Sequence, residues 1–352
     1  MLHMAIIASA ISAICSIIES CSPESPSTQK KQTLILYVVA NNNLVSQGEI
    51  LMAELAKGEI PDSCNLVVFY RGRERARLYS IDNHLLSVKK EYGNINCVSK
   101  AQISVIMRDI KKNYPAKEYG LVLWSHGTGW LPTGNDTTRS FGDDGGEAID
   151  ITDLAESLNV KLDYLIFDAC YMGTIEVATE FQDICKYLVA SPSAIPSEGI
   201  INSEALSLLV KKRPLLERLK ELCINSHEKR NIPISLINMS QLSPFIDAIN
   251  QGGINLSKTI INEVTIYPFH SIPIFFDLYF LSKIGYGKDT LSTLEALILF
   301  PEVKEKDCFV SVFIPTENNV AYWHNYSRTK WNVRTNWLGR WNNTDSCDGD
   351  SF

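Results

Sequence analysis

The chain has 352 residues, which is enough for one large domain or two modest domains with a substantial core. Apolar residues make up 45% and charged residues 21% of the composition, which is typical of a globular protein. The net charge is −7 and there is no long basic run, so nucleic acid is not an expected partner.

The N-terminus has the pattern of a targeting segment. Residues 4–18 carry no charge and are too few to span a bilayer, which suits the core of a signal peptide. Ser20 precedes Cys21, and a Pro/Ser-rich linker follows, an arrangement that resembles a bacterial lipoprotein site with Cys21 as the acylated residue. The sequence thus predicts a signal over residues 1–21, a linker over 22–31 and an extracytoplasmic protein, lipid-anchored to a membrane. A plain secreted protein and an apolar N-terminus without a targeting role are the alternatives.

After the linker, apolar runs alternate with helical patterns. Strands are predicted over 33–40, 64–70, 75–81 (an edge strand), 119–126, 162–170, 186–192, 232–240 and 307–315. Helices are predicted over 44–57, 99–113, 147–158 and 173–184, and residues 255–306 have a mainly helical pattern. This alternation predicts an α/β fold, in which a mostly parallel central sheet is sandwiched by helices. The predicted core domain is 32–254, followed by a C-terminal helical subdomain, a late strand and an aromatic tail over 255–352.

Four tryptophans mark the tail, at Trp323, Trp331, Trp337 and Trp341. Amphipathic aromatic residues of this kind usually pack a tail onto the body of a protein, and we expect that here. The alternative is an exposed platform for carbohydrate or a partner.

The nine cysteines show no spacing of a metal site, since there is no CxxC pair and no Cys/His cluster. Cys64, Cys185 and Cys308 lie in apolar segments, where we expect them to pack as small hydrophobic residues. Cys170 differs from these, because it follows a buried strand and an acid, Asp168.

Two predicted strands end in reactive groups. His126 follows the strand over 119–126 and is itself followed by Gly127, and Cys170 ends the strand over 162–170. The segment between them contains one predicted helix and has the length of a single crossover connection. The two strands are therefore predicted to be parallel neighbours. Both groups would then lie at the carboxyl edge of the sheet, where α/β proteins form their sites.

A histidine beside a cysteine is a chemically sensible pair. The imidazole takes the proton of the thiol, and the thiolate is the nucleophile. The Gly127 N–H, with that of Cys170, would hold an oxyanion. Each residue alone is more often structural, so the prediction depends on the two occurring together.

The strings "SHGTGW", "FGDDGGEAI" and "LIFDACYMGTIEVATEF" resemble the clan of caspases, gingipains, legumains and separases, and within it the clostripain family of C11 cysteine peptidases. "YVVANNNL" also resembles that family's first strand and turn, although the family usually has Asp at the position of Asn41 and an acid at that of Val45. The resemblance covers residues 32–200. It implies a caspase-like α/β/α fold and an endopeptidase with His126 as general base and Cys170 as nucleophile.

The resemblance also implies substrates with a basic residue, Arg above Lys, before the cleaved bond. Asp168 falls on the position that lines the pocket for this side chain, and Glu198 is a second, weaker candidate. A carboxylate pair suits a guanidinium group because the two form bidentate charged hydrogen bonds. A buried acid bonded to backbone is the alternative for Asp168, and plain surface charge is the alternative for Glu198.

Self-cleavage between the two strands is a further implication. That interval contains two basic residues, Arg139 in a polar loop and Lys161 directly before a strand. Loops are nicked most easily, so cleavage is predicted at Arg139–Ser140.

Calcium is the one cofactor that the resemblance raises, with Asp143, Asp144, Glu147 and Asp150 as the available acids. Their spacing is not that of a helix–loop–helix calcium site, and solvated or capping acids are the alternative.

Two other functions remain open from the sequence. A cysteine amidase or transpeptidase would use the same pair through a thioacyl intermediate. A lipid-anchored surface binding protein would leave the pair idle.

Overall fold

The computed structural model describes residues 29–82, 85–131, 140–252, 264–269, 272–283, 287–302 and 307–342. The predicted signal segment with Cys21 lies outside these ranges, as does Arg139. No helix in the described part of the chain is both long and apolar enough to cross a membrane.

The described residues form fourteen strands and twelve α-helices. The strands are β1 (Lys30–Val39), β2 (Cys64–Arg71), β3 (Ala76–Asp82), β4 (Leu85–Gly93), β5 (Ala116–Trp124), β6 (Phe141–Asp144), β7 (Glu147–Ile149), β8 (Leu162–Asp168), β9 (Cys185–Ala190), β10 (Ser235–Asn238), β11 (Ile266–Phe269), β12 (Ile272–Asp277), β13 (Ile298–Phe300) and β14 (Ser311–Phe313). The helices are α1 (Val45–Leu55), α2 (Lys100–Asn113), α3 (Ile151–Ser157), α4 (Ile175–Glu180), α5 (Ser203–Val210), α6 (Leu215–Arg230), α7 (Leu242–Gln251), α8 (Phe280–Lys283), α9 (Gly287–Leu297), α10 (Trp323–Tyr326), α11 (Lys330–Thr335) and α12 (Trp337–Asn342). Short 3-10 helices cover Met239–Gln241 and Glu317–Tyr322.

Nine of these strands form the central sheet, in the order β13-β10-β9-β8-β5-β1-β2-β3-β4. The five strands from β9 to β2 run parallel, and antiparallel strands extend the sheet at both ends. Helices cover both faces. The predicted α/β fold, with helices on both sides of a mostly parallel sheet, is confirmed.

Strand β1 shows why its sequence is a continuous apolar run. Ile35, Tyr37 and Val39 face the hydrophobic core that includes α2, α3, α4 and α7. The alternate residues Leu34, Leu36 and Val38 face the core that includes α1, α5 and α6. Because both faces are buried, neither face of the strand needs polar residues.

Three sequence predictions are wrong in detail. Strand β3 is not an edge strand, because β4 pairs with it on the outer side. The charged residues of β4 concealed it from the apolar pattern, although charge is a common feature of edge strands. Residues 147–149 are the strand β7, and the helix begins only at Ile151, after the N-cap Asp150. The described residues of the region 255–306 form three strands, β11 to β13, beside the helices α8 and α9, so this part of the region is mixed and not mainly helical.

The aromatic tail packs on the body of the protein. Trp331 and Trp337 are fully buried, and Trp341 is nearly so. The Trp331 ring stacks on Phe245 of α7 at 6.1 Å, and Trp337 Nε1 donates a hydrogen bond of 2.6 Å to the Phe313 carbonyl. The packing interpretation is confirmed for these three tryptophans.

Cys64, Cys185 and Cys308 are buried and free, as predicted.

Candidate active site

His126 and Cys170 line the same cavity, which has a volume of about 800 Å³. Strands β5 and β8 are parallel neighbours, and their register aligns Trp124 with Asp168. Each reactive residue comes two positions after this aligned pair. The predicted neighbouring strand ends are therefore confirmed, and they bring the imidazole and the thiol to one edge of the sheet.

The loop after His126 is held by the hairpin of β6 and β7. The Gly142 N–H donates to the His126 carbonyl at 3.0 Å, and the Thr128 N–H donates to the Ser140 carbonyl at 3.0 Å. Gly127 lies between these two bonds, opposite Phe141. Among the residues that the structure describes, none accepts a hydrogen bond from the Gly127 N–H. This amide is consequently available to an oxyanion.

Burial shifts both reactive groups toward their neutral forms. Burial raises the pKa of the Cys170 thiol, although the Ile195 N–H, 3.4 Å from Sγ, opposes this effect. Burial lowers the pKa of His126, and the negative charge of Asp143 opposes it. Both shifts favour the neutral imidazole and the neutral thiol over an ion pair.

Tyr171, directly after Cys170, adopts a left-handed backbone conformation with φ of 61°. This conformation is rare for a bulky residue and needs support from its surroundings. Its N–H donates to the Ser193 carbonyl at 2.9 Å, and its ring packs against Phe269 and Phe275 of the β11–β12 hairpin. Tyr171 and Phe269 also line the cavity. No sequence pattern predicted these residues, because a helical pattern was expected where the hairpin lies.

Asp168 does not line this cavity. The carboxylate is 2% exposed and accepts hydrogen bonds from the Ile200 N–H at 2.5 Å and the Ile201 N–H at 2.9 Å. Burial raises the pKa of Asp168 to about 6, with these amides and Arg230 opposing the shift. Gly199 lies directly over the carboxylate, since a Cβ there would be 2.7 Å from it. In this structure Asp168 is thus a buried acid bonded to backbone, which is the alternative that the sequence left open.

Glu198 lines a second cavity, of about 470 Å³. Glu54 of α1 also lines it, and Trp124 and Ile201 add apolar surface. Arg230 reaches the same cavity, but its guanidinium donates to the carbonyls of Gly199 and Ile200. The cavity thus has two acidic side chains and one cation that is already bonded to backbone.

Two segments of the chain contribute residues to both cavities. Ala194 lines the first cavity and Pro196 lines the second. On helix α1 and its preceding turn, Asn43 lines the first and Gln47 the second. A peptide bound at Cys170 would therefore have the acidic cavity beside it.

Three of the four acids proposed for calcium have structural roles. Asp144 accepts hydrogen bonds from Arg71 Nε at 2.8 Å, Asn41 Nδ2 at 2.7 Å and the Cys97 N–H at 2.9 Å. Asp150 caps α3, and Asp143 accepts from the Gly146 N–H. Within the described ranges, no group of three or more His, Cys, Asp or Glu side chains is arranged to hold a metal ion. These acids do not fit a calcium site, and Asn41, where the family usually has Asp, is here a donor to Asp144.

Ser140, the residue directly after the predicted cleavage site, is buried. Its N–H donates to the Ile149 carbonyl at 2.9 Å. Lys161 has an exposed side chain, which contacts the Asp183 carbonyl.

Comparison with known proteins agrees with this geometry. The model of the clostripain family, Peptidase C11, matches residues 36–272, more than half of the chain. Clostripain from Hathewaya histolytica is 30% identical over 200 residues, in an alignment that covers 46% of this chain. The chain covers only 38% of the length of that relative.

Solved structures share the fold. A secreted C11 cysteine protease from Bacteroides thetaiotaomicron, in complex with an irreversible peptide inhibitor, has a TM-score of 0.77 at 22% identity, over 88% of this chain and 99% of the other. An inactive zymogen C11 protease from Parabacteroides distasonis has a TM-score of 0.73 at 21% identity, with the same coverage. These similarities show that the architecture of this chain is that of the C11 proteases.

Proposed function

Because this chain belongs to the clostripain family of C11 cysteine proteases, we propose that it is an endopeptidase that cleaves after Arg or Lys, with Cys170 as nucleophile and His126 as general base. The observation that carries the proposal is the single cavity that both residues line, at the ends of parallel neighbouring strands.

The reaction starts from the neutral pair. His126 takes the thiol proton as Cys170 Sγ attacks the substrate carbonyl carbon, and the negative oxygen is placed at the Gly127 N–H. The imidazolium then gives its proton to the leaving amine, which releases the C-terminal part of the substrate. Water, deprotonated by His126, hydrolyses the remaining thioester and restores the thiol.

The acidic cavity supports a preference for a basic side chain. Glu198 offers a carboxylate, and Glu54 adds a second one, which is bonded to Lys57 and Ser203. Trp124 adds apolar surface that suits the stem of Arg or Lys. Asp168 lies beneath Gly199, so we assign it to holding the loop that carries Glu198. A volume of about 800 Å³ at the nucleophile, with this second cavity beside it, provides room for a peptide and favours a peptidase over an amidase of small substrates.

Fluorogenic peptides test the proposal. Wild type should hydrolyse peptides ending in Arg most rapidly, Lys less and Leu hardly at all, and Cys170→Ala should hydrolyse none. Glu198→Gln should raise KM for Arg peptides about 10-fold or more, because a charge-assisted hydrogen bond is lost. Glu217→Gln, which removes an exposed carboxylate from the first turn of α6, away from both cavities, is the control. Equal rates with Arg and Leu peptides would overturn the basic preference, and activity in Cys170→Ala would overturn the assigned nucleophile.

We expect the protease to cut itself at Arg139–Ser140. The pieces should stay together, because β5 and β8 on either side of the cut pair in the central sheet. Denaturing gels should show two fragments for wild type and one intact band for both Cys170→Ala and Arg139→Ala. Sequencing of the second fragment should begin at Ser140. An identical band pattern in wild type and Cys170→Ala would contradict self-cleavage.

The N-terminal segment supports export and a lipid anchor at Cys21. Cys21→Ala should then move the protein from the membrane fraction to the soluble fraction. If wild type itself is soluble, the anchor is absent.

A further inference from the structure

We propose that Asn43 is a positioning residue for His126, one that fixes which ring nitrogen serves as the base. The inference rests on the proposed role of His126 in the protease reaction. The observation behind it is a hydrogen bond of 2.6 Å between His126 Nε2 and Asn43 Oδ1.

With Asn43 Oδ1 turned toward the ring, this contact assigns the tautomer of the histidine. An amide oxygen only accepts hydrogen bonds, so the nitrogen that it faces must carry the proton. With the proton on Nε2, the lone pair of the neutral ring is on Nδ1. Nδ1 is therefore the nitrogen that takes the proton of the Cys170 thiol.

Three consecutive asparagines in the turn after β1 form hydrogen bonds through their side chains. Asn41 Nδ2 donates to Asp144 Oδ1, and Asn42 Nδ2 donates to the Asp143 carbonyl, each at 2.7 Å. Asn42 Oδ1 also accepts from the Leu44 N–H at 2.7 Å. The first two asparagines bind the turn to the β6–β7 hairpin and to the start of α1, and the third, Asn43, bonds to His126.

A neutral partner at this position suits the charges around the ring. The titratable groups that line the cavity with His126 are Asp143 from β6 and, after β8, Cys170 and Tyr171. The charge of Asp143 acts on the imidazole. Asn43 stabilises the imidazolium once it forms, because a hydrogen bond to a charged donor is stronger than one to a neutral donor. It does so without adding a second negative charge, which would protonate the base in the resting enzyme.

Two substitutions separate positioning from simple structure. Asn43→Ala should lower kcat about 10- to 100-fold and leave KM within about 2-fold, because the ring is no longer held in the productive orientation. Asn43→Asp should move the acidic limb of the kcat/KM profile upward by about one pH unit or more, because a carboxylate then faces Nε2. Both should unfold at the wild-type temperature, since Asn43 is exposed.

Asn159→Ala is the matched control. Asn159 is also exposed and donates one hydrogen bond to a carbonyl, that of Ser104, before the amino end of β8. This variant should keep the wild-type kcat and pH profile.

A measurement without substrate tests the tautomer itself. The chain has six histidines, so the protein can be labelled with ¹⁵N-histidine and His126 assigned by its loss in His126→Ala. At a pH above the pKa of His126, the spectrum should show a protonated Nε2 and a bare Nδ1, and Asn43→Ala should change this pattern.

Failure of the proposed role of Asn43 can be distinguished from failure of the proposed peptidase function. An Nδ1–H tautomer in wild type, or wild-type kcat and pH profile in both Asn43 variants, would overturn the role of Asn43 and leave the protease intact. A wild type that neither cleaves Arg peptides nor reacts with an Arg-directed covalent inhibitor would instead overturn the proposed function, while the spectrum still reports the tautomer.

Discussion

A Cβ atom built on Gly127 would lie 2.6 Å from the Cys170 carbonyl oxygen and 3.0 Å from the Ala169 Cβ. Glycine at this position therefore lets the His loop and the Cys loop approach each other closely. It also places the Gly127 N–H at the cavity. A Cβ atom at this position would push the loop after His126 away from the loop that carries Cys170.

Gly127→Ala should for this reason lower kcat/KM by about 100-fold or more, as expected from displaced reacting groups and a displaced oxyanion donor. Overpacking should also destabilise the fold by about 1–3 kcal/mol. Steady-state kinetics and thermal unfolding measure the two effects.

Gly58→Ala is the control, because its Cβ would first meet a flexible atom, Leu206 Cδ2, away from the site. Activity that falls equally in the two variants would show that Gly127 has no special role at the site.

Helix α4, which follows Cys170, contains a buried acid that links it to the C-terminal tail. Glu176 Oε1 accepts hydrogen bonds from the Phe313 N–H at 2.9 Å and the Tyr326 hydroxyl at 2.8 Å. Burial raises the pKa of Glu176 from 4.5 to about 7. The folded protein thus binds this proton more tightly than the unfolded chain does.

The sign of the pH dependence follows from that shift. A raised folded-state pKa means that the stabilisation is fully present below pH 4.5 and is lost as pH rises through about 7. Glu176→Gln stays neutral throughout. The free energy of unfolding of this variant, relative to that of wild type, should therefore increase by about 3 kcal/mol between pH 4.5 and 8.

Denaturant unfolding at several pH values measures the difference. The pKa values of Asp168 and Asp277 are also raised, to about 6, but they contribute equally to both proteins and cancel. Parallel stability curves for wild type and Glu176→Gln would show that this carboxyl does not titrate as expected.

The hydrophobic core contains residues from both sides of the predicted domain boundary at residue 254. Trp130, four residues after His126, packs edge-on against Phe313 and Tyr326 at ring distances of 5.1 and 4.7 Å. One hydrophobic core contains side chains from β1, from α4 and from the tail. Residues from the C-terminal segment therefore support the loop that carries the histidine.

A chain ended after residue 252 should not fold, because it leaves the buried surface around Phe245 and Trp130 without its partners. Loss of even one large buried aromatic side chain costs about 3–5 kcal/mol, and this truncation removes several. A chain ended after residue 342 keeps all of the described contacts and is the control. Circular dichroism and size-exclusion chromatography compare the two, and a cooperative, monomeric 252-residue product would show that the core domain is independent.

Much of the fold was predictable because its signals are local. Continuous apolar runs identified the buried parallel strands, and polar residues after β5 and β8 identified the edge where the cavity forms. Six strands were not predicted. The charged residues of β4 obscured its alternation, and β6, β7, β11, β12 and β13 are too short for a clear period.

The sequence by itself determined the chemical types at the site, a histidine and a cysteine at the ends of neighbouring strands, because strand order and crossover length follow from the chain. Tertiary structure alone decided how those groups are held. Asn43 reaches His126 across 83 residues of sequence, and the Asp168 carboxylate bonds to amides more than 30 residues away. Such contacts depend on how loops pack against each other, and no local pattern of residues encodes that packing.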